Sequence, residues 1–144
     1  MDDTPPTLLV IDDESLVLRA VSRTLTSQGY RVVCAHDGPE GLGILRQQEI
    51  DVALVDVGLP GMDGLEVLRR AKRVSPSTEY IIFTGKADIS IAYEALEAGA
   101  SDYFEKPIRD WQRFHQVLKR GVQVHHLKRE NRELQERKRE GPAA

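Results

Sequence analysis

The sequence holds one cysteine, Cys34, so no disulfide can close within the chain. That thiol stands in the apolar run "RVVCA" (31–35), where it reads as a small packing hydrophobe. No apolar run approaches the roughly 20 residues that span a bilayer. The opening "MDDTPP" is acidic and lacks an apolar centre, so it does not read as a signal peptide. No internal repeat or low-complexity segment is found. With no membrane partner implied, a cytoplasmic protein is the expectation.

What the sequence does have is apolar material for one ordinary core. Its 144 residues are 40% hydrophobic and 30% charged, with a net charge of -3, as in a soluble globular protein. The charge is unevenly placed. Residues 1–111 carry 19 acids and 11 bases, a net of -8, and residues 112–144 carry 4 acids and 9 bases, a net of +5. An acidic body with a basic tail suggests two parts with different jobs.

Short apolar runs recur at "TLLVID" (7–12), "RVVCA" (31–35), "DVALVD" (51–56), "EYIIFT" (79–84) and, more weakly, "SDYFE" (101–105). Apolarity that is continuous rather than alternating argues for strands covered on both faces, as in a parallel sheet. Helical spacing fills the gaps. Ser15 is placed to cap a helix carrying Leu16, Leu18, Val21 and Leu25, closed by Gly29. A second helix, weakened by Gly41 and Gly43, keeps Leu42 and Leu45 on one face. A third follows Asp63-Gly64 with Leu65, Leu68 and Ala71, and a fourth follows Asp88 with Ile91, Ala95 and Ala98, closed by Gly99. Strands alternating with such helices predict an α/β fold on a parallel sheet. From Pro107 onward one long helix is expected, interrupted only by Gly121. Ile108, Trp111, Phe114 and Leu118 close it against the sheet, and the remainder projects as a stalk.

The stretch "LLVIDDES" (8–15) runs four apolar residues into three acids, an arrangement that costs electrostatic energy unless something compensates it. In open α/β sheets ligands bind outside the carboxyl ends of the strands. Asp12 and Asp13 end the first run, Asp56 the third and Thr84 the fourth, while Lys106 follows the fifth. The bland alternative is five unrelated surface polars, which their shared placement disfavours. Three carboxylates in one crevice call for a hard cation with vacant positions, which suits Mg²⁺. Lysine and threonine suit an anion on its far side. Metal, anion and a central carboxylate together form the layout for phosphoryl transfer to an aspartate, with Asp56, on the middle strand, as the favoured nucleophile.

The motifs "VIDDE" (10–14), "DVGLPGMDG" (56–64), "TG" (84–85) and "GASDYFEKP" (99–107) stand in the order and spacing of a known family. Over about residues 7–120 the sequence resembles the receiver (CheY-like) domains of two-component response regulators. The resemblance implies a doubly wound, flavodoxin-like sheet in the order 2-1-3-4-5. It implies that Asp56 accepts a phosphoryl group from a sensor histidine kinase, a phosphotransfer protein or a small phosphodonor. Asp13, Asp56 and the backbone carbonyl of Gly58 are implied to coordinate Mg²⁺, or Mn²⁺ in its place, with Asp12 assisting through water. Lys106 is implied to meet the phosphoryl oxygens, Thr84 to move onto them, and Tyr103 to swing into the vacated space. The Lys106-Pro107 bond is implied to be cis, against a base rate near 5–6% for X–Pro. Gly58, Gly85 and Lys86 depart from the commoner residues around the site. Apart from the resemblance, Tyr103 reads as an amphipathic sheet-edge tyrosine, Thr84 as a loop cap and "LPGMDG" as a turn.

This reading divides the chain into a disordered start (1–6), a receiver domain (7–120) and a helical stalk (121–144) leading to an output domain or to a natural stop. Val124, Leu127, Asn131 and Leu134 fit a short coiled-coil seam that would pair two copies in parallel, against a solvated charged helix as the alternative. Glu130, Glu133, Glu136 and Glu140 interleave with the basic residues, which argues against direct nucleic-acid binding. His36, His115, His125 and His126 show no metal-like partners and read as surface residues. The expected role is a switch that modifies only itself, not a turnover enzyme. Its rivals are a metal-dependent phosphatase, which would need a substrate pocket, and a dimerisation module with a receiver fold that is never phosphorylated.

Overall fold

Strands that are apolar at every position need cover on both faces. The computed structural model describes residues 4–85 and 89–140; Asp88 before the expected fourth helix, the cation at Lys86, residues 1–3 of the expected disordered start and residues 141–144 of the stalk lie outside the described residues. Five strands, β1 (Thr7–Ile11), β2 (Arg31–Ala35), β3 (Val52–Asp56), β4 (Glu79–Thr84) and β5 (Asp102–Glu105), form one parallel sheet. Its order is β2-β1-β3-β4-β5, as the receiver resemblance implies. Helices α1 (Ser15–Ser27), α2 (Gly38–Gln47), α3 (Gly64–Val74), α4 (Ile89–Glu97) and α5 (Trp111–Glu140) cover it.

Alternate strand residues face opposite layers. Leu9, Ile11, Ala53, Val55 and Ile82 pack with Leu42 and Leu45 of α2, Leu68 and Ala71 of α3 and Ala95 of α4. Leu8, Val10, Leu54, Ile81 and Phe83 pack with Leu18, Val21 and Leu25 of α1 and with Phe114 and Leu118 of α5. The fold is therefore doubly wound, with α1 and α5 on one side.

Three helices are entered through an aspartate. Asp37 accepts from the Glu40 N–H at 2.8 Å, Asp63 from Glu66 at 2.9 Å and Asp110 from Arg113 at 2.9 Å, each satisfying an orphan donor of a first turn. The first helix departs from expectation. Ser15 is its first helical residue rather than its cap, and Glu14 before it supplies no side-chain cap. Asp12 Oδ1 takes the Glu14 N–H at 2.9 Å instead, a local Asx turn that shapes this entry. Leu16, expected inward, is 80% exposed. It lies about 200° round the helix from Leu18, off the stripe that reaches the sheet.

The largest difference concerns α5. Phe114 is buried edge-on against Phe104 at 4.9 Å and Trp111 at 5.6 Å. The helix does not then leave the domain at Gly121. That glycine is buried, and a Cβ there would come within 2.9 Å of Val52 Cγ2. Its missing side chain lets the helix lie directly on the start of β3. Contacts continue to Lys128, whose Nζ meets Glu79 Oε2 at 2.5 Å, and to Arg129, whose guanidinium meets Glu49 Oε1 at 2.6 Å. Docking thus extends some nine residues past the expected boundary. The start is tied as well, since the Pro6 carbonyl accepts from Arg31 N–H at 2.9 Å. The histidines also divide. His36 and His126 are exposed, His115 is half-buried beside Tyr30, and His125 is fully buried, contrary to its reading as a surface residue. The close approach at Gly121 brings it inside.

Phe114→Ala is expected to cost about 3–5 kcal/mol, because a wholly buried ring with two aromatic neighbours leaves a cavity that cannot collapse. Urea denaturation of the full chain measures this.

Candidate functional site

Parallel pairing sets the carboxyl ends of β1, β3, β4 and β5 along one edge, with β1 and β3 adjacent at the centre. Asp12 and Asp13 follow β1, Asp56 ends β3, Thr84 ends β4 and Lys106 follows β5. One oxygen from each of Asp12, Asp13 and Asp56 lies within 4.8 Å of the others. Asp12 and Asp56 are buried, while Asp13 stands exposed at the rim. Asp13, Asp56, Gly58, Thr84, Ile91 and Lys106 are among the residues lining a cleft of about 470 Å³ over this cluster. The donors are all oxygen, partly buried and open on one side, which fits a hard divalent cation that keeps some of its waters.

Lys106 compensates the acids. Its Nζ donates to Asp12 Oδ2 and stands 3.3 Å from Asp56 Oδ2. The same ammonium sits 4.8 Å from the centre of the Phe83 ring, within cation–π range. Its backbone is held too, because the Lys106 N–H donates to the Thr84 carbonyl at 2.7 Å. The Lys106-Pro107 bond is cis, as expected.

The loop after β3 is shaped by a close approach. A Cβ on Gly64 would lie 2.2 Å from the Asp56 carbonyl oxygen, and the Gly64 N–H donates to the Val57 carbonyl at 3.0 Å. Only glycine fits there, so "LPGMDG" is more than a turn: its end is packed under the nucleophile candidate. The Gly58 N–H donates to Asp56 Oδ1 at 3.3 Å, and even a Cβ at Gly58 would stay 4.0 Å from both carboxylate oxygens. Thr84 is buried at the end of β4. Tyr103 pairs in register with Ile82. It therefore shares the sheet face of Thr84 and, half-buried, packs against the core under α2, α3 and α4.

Burial pushes the Asp56 carboxyl above the usual carboxylate range. The Lys106 charge opposes this, Asp12 adds to it, and the Gly58 N–H works against it. For Lys106, burial works against the charge, but its hydrogen bond to Asp12 and the charges of Asp56 and Asp12 prevail and raise it. Asp12, Asp13, Asp56, Gly58, Thr84 and Lys106 therefore gather at one edge of the sheet, while Tyr103 lies lower on the same face, beside Ile82. Sequence reasoning missed Phe83 beneath the ammonium and the packing role of Gly64. Nothing in "IIFTG" marks the first, whereas the Asp-Gly step did mark the second position as conformationally special.

Comparison with known proteins bears directly on this edge. The response regulator receiver domain family matches residues 8–119. The chain belongs to that family. Among curated relatives, the receiver is 40% identical over 119 residues to the transcriptional regulatory protein AfsQ1 of Streptomyces coelicolor, covering 81% of this chain and 52% of that one. It is 34% identical over 127 residues to the regulatory protein AtoC of Escherichia coli, covering 88% and 27%. The chain thus spans about half or less of the length of these relatives. Among solved structures, a receiver domain protein from Clostridium thermocellum superposes with a TM-score of 0.79 at 32% identity, covering 85% of this chain and 98% of that one. A structure described as adenylate cyclase from Rhodopirellula baltica gives 0.83 at 28% identity, covering 93% and 99%.

The raised Asp56 has a consequence for the metal-free receiver. A carboxyl that protonates more readily folded than unfolded contributes stability at acid pH, and that contribution is lost as pH rises through its folded titration. At neutral pH its charge is a burden. Asp56→Asn is expected to melt a few degrees higher than the natural chain in the presence of a chelator, with the gap closing as pH falls through the carboxylate range. Thermal melts across pH measure it.

Proposed function

We propose that this receiver domain accepts a phosphoryl group on Asp56 from a sensor histidine kinase or phosphotransfer protein and thereby controls an output, attached or separate. The reading rests on one observation above others: Asp56 lies among two more carboxylates and a lysine in a cleft open to solvent. An Asp56 oxygen attacks phosphorus, the phosphorus–nitrogen bond of the donor's phosphohistidine breaks, and its electron pair returns to the imidazole. Asp12, Asp13, Asp56 and the Gly58 carbonyl would hold Mg²⁺, or Mn²⁺ in its place, which when bound neutralises charge on the transferring oxygens.

Lys106 exchanges its carboxylate partners for the phosphoryl oxygens, acting as a point charge. The Thr84 hydroxyl donates to the same oxygens, and Tyr103, on the same face, moves toward the space it leaves. Those movements bias two arrangements of α4, β5 and the start of α5. The receiver is not a turnover enzyme in this reading, since the acceptor is its own side chain. On α5, Leu127 within the docked stretch and Leu134 beyond it are 64% and 55% exposed and seven residues apart, with Asn131 between them. Two copies pair through this face as a parallel dimer.

With Mg²⁺ and acetyl phosphate, the chain is expected to gain one phosphoryl group at Asp56, seen by mass spectrometry. A chelator or Asp56→Asn abolishes the gain, and Lys106→Met slows it by about 10²-fold. Label that persists in Asp56→Asn and disappears with another acid's mutant overturns the assignment. In sedimentation, the natural chain is expected to dimerise and the Leu127→Asp/Leu134→Asp variant to stay monomeric, while its phosphorylation is unchanged.

A further inference from the structure

The end of the sheet opposite Asp56 carries a second buried charge cluster. His125 on α5 is wholly enclosed. Its Nδ1 lies 2.7 Å from the Ser77 carbonyl oxygen, in the connection between α3 and β4, and its Nε2 lies 2.9 Å from Glu49 Oε1, in the connection between α2 and β3. Both partners only accept: a peptide carbonyl has no proton to give, and neither has a carboxylate. A neutral imidazole carries one N–H, so one of these contacts would set lone pair against lone pair at an enclosed ring, although Glu49 itself is half-exposed. Only the doubly protonated ring satisfies both.

We propose that His125 is an imidazolium in the docked helix, and that this proton fastens the root of the stalk, residues 121–129, to the amino-terminal edge of the sheet. The inference does not rest on chemistry at Asp56. The surrounding groups carry both signs, with carboxylates nearest the ring. Asp51 Oδ2 stands 3.9 Å from the same Nε2, so two carboxylates face the ring. Arg129 shares Glu49 at 2.6 Å, and the exposed His126 meets Asp51 at 3.2 Å, with its ring centred 5.6 Å from that of His125. From β4, Glu79 takes Lys128 at 2.5 Å and the Ser101 hydroxyl at 2.7 Å. Lys72 of α3 is within electrostatic reach of Lys128 and Glu79. Arg31, at the start of β2, lines a small hollow with Asp51, His126 and Arg129. Gly121 completes the device, since its bare backbone brings the helix close enough for the ring to reach Ser77.

The docked state then binds one proton more than the released state, so docking weakens as pH rises, by at most about tenfold per pH unit. A released segment of this length is a marginal helix in water and frays. Two measurements on the full chain test this. Nitrogen-15 NMR of the imidazole is expected to find both ring nitrogens of His125 protonated near pH 7. Hydrogen-exchange protection of amides 122–129 is expected to fall at least about tenfold between about pH 6 and about pH 9. Glu49→Gln supplies an amide that can donate to Nε2, so a neutral ring is satisfied and the pH dependence vanishes. His126→Gln leaves that dependence in place, because an exposed pair contributes little. A singly protonated His125 ring with the segment still protected overturns the proposal. So does equal protection at both pH values, or a pH dependence that is lost with His126→Gln. The ring measurement needs no variant, so a misfolded mutant cannot obscure the result.

Discussion

One ammonium holds the upper edge of this molecule together. Asp12 and Asp56 are buried side by side, and Lys106 bonds the first and stands 3.3 Å from the second. Without that charge, two carboxylates in a shielded hollow would repel at close range. The surrounding structure is arranged to deliver it. The Lys106 amide is tied to Thr84 at the end of β4, the Phe83 ring lies beneath the ammonium, and the cis bond follows at once. The Asp56 carboxyl still titrates high despite this partner. The site therefore keeps unfavourable electrostatics where a site is wanted, which is how functional centres commonly differ from the rest of a fold.

The opposite edge solves a similar problem without leaving a vacancy for chemistry. Glu49, Asp51 and Glu79 gather at the starts of β3 and β4, and each is answered by a base on α5: Arg129 and His125, His126, and Lys128. This explains part of the uneven charge of the chain. The basic tail is complementary to its own acidic body, and a good share of its positive charge is used within the molecule. Farther out the pairs become local, Arg129 with Glu133 and Arg132 with Glu136 at helical spacing.

The strands and the acid cluster were legible in the sequence for the same reason. Continuous β-branched runs mark strands buried on both faces, and a polar residue closing such a run has few places to go except the sheet's carboxyl edge. What escaped was contact between distant segments. Ser15 has cap chemistry, but the helix begins one residue before the expected point, the Leu18 N–H donating to the Glu14 carbonyl. Gly121 has the look of a helix interruption, yet its role is to let Val52 approach. His125 follows from it: a polar residue four places after a glycine in a basic stretch gives no hint of burial, because the acceptors that enclose it come from residues 49 and 77. Pattern reports what a segment does with its own neighbours; it is silent on which remote backbone comes to meet it.

Because α5 runs unbroken from Trp111 to Glu140, its outer portion beyond Arg129 behaves as a lever arm. About 11 residues of helix reach some 16 Å past the last contact with the sheet. A tilt of roughly 10° at the base would carry the tip about 3 Å, nearly the width of a side chain. A small tilt at the base in this way becomes a step large enough to change which groups meet at the far end.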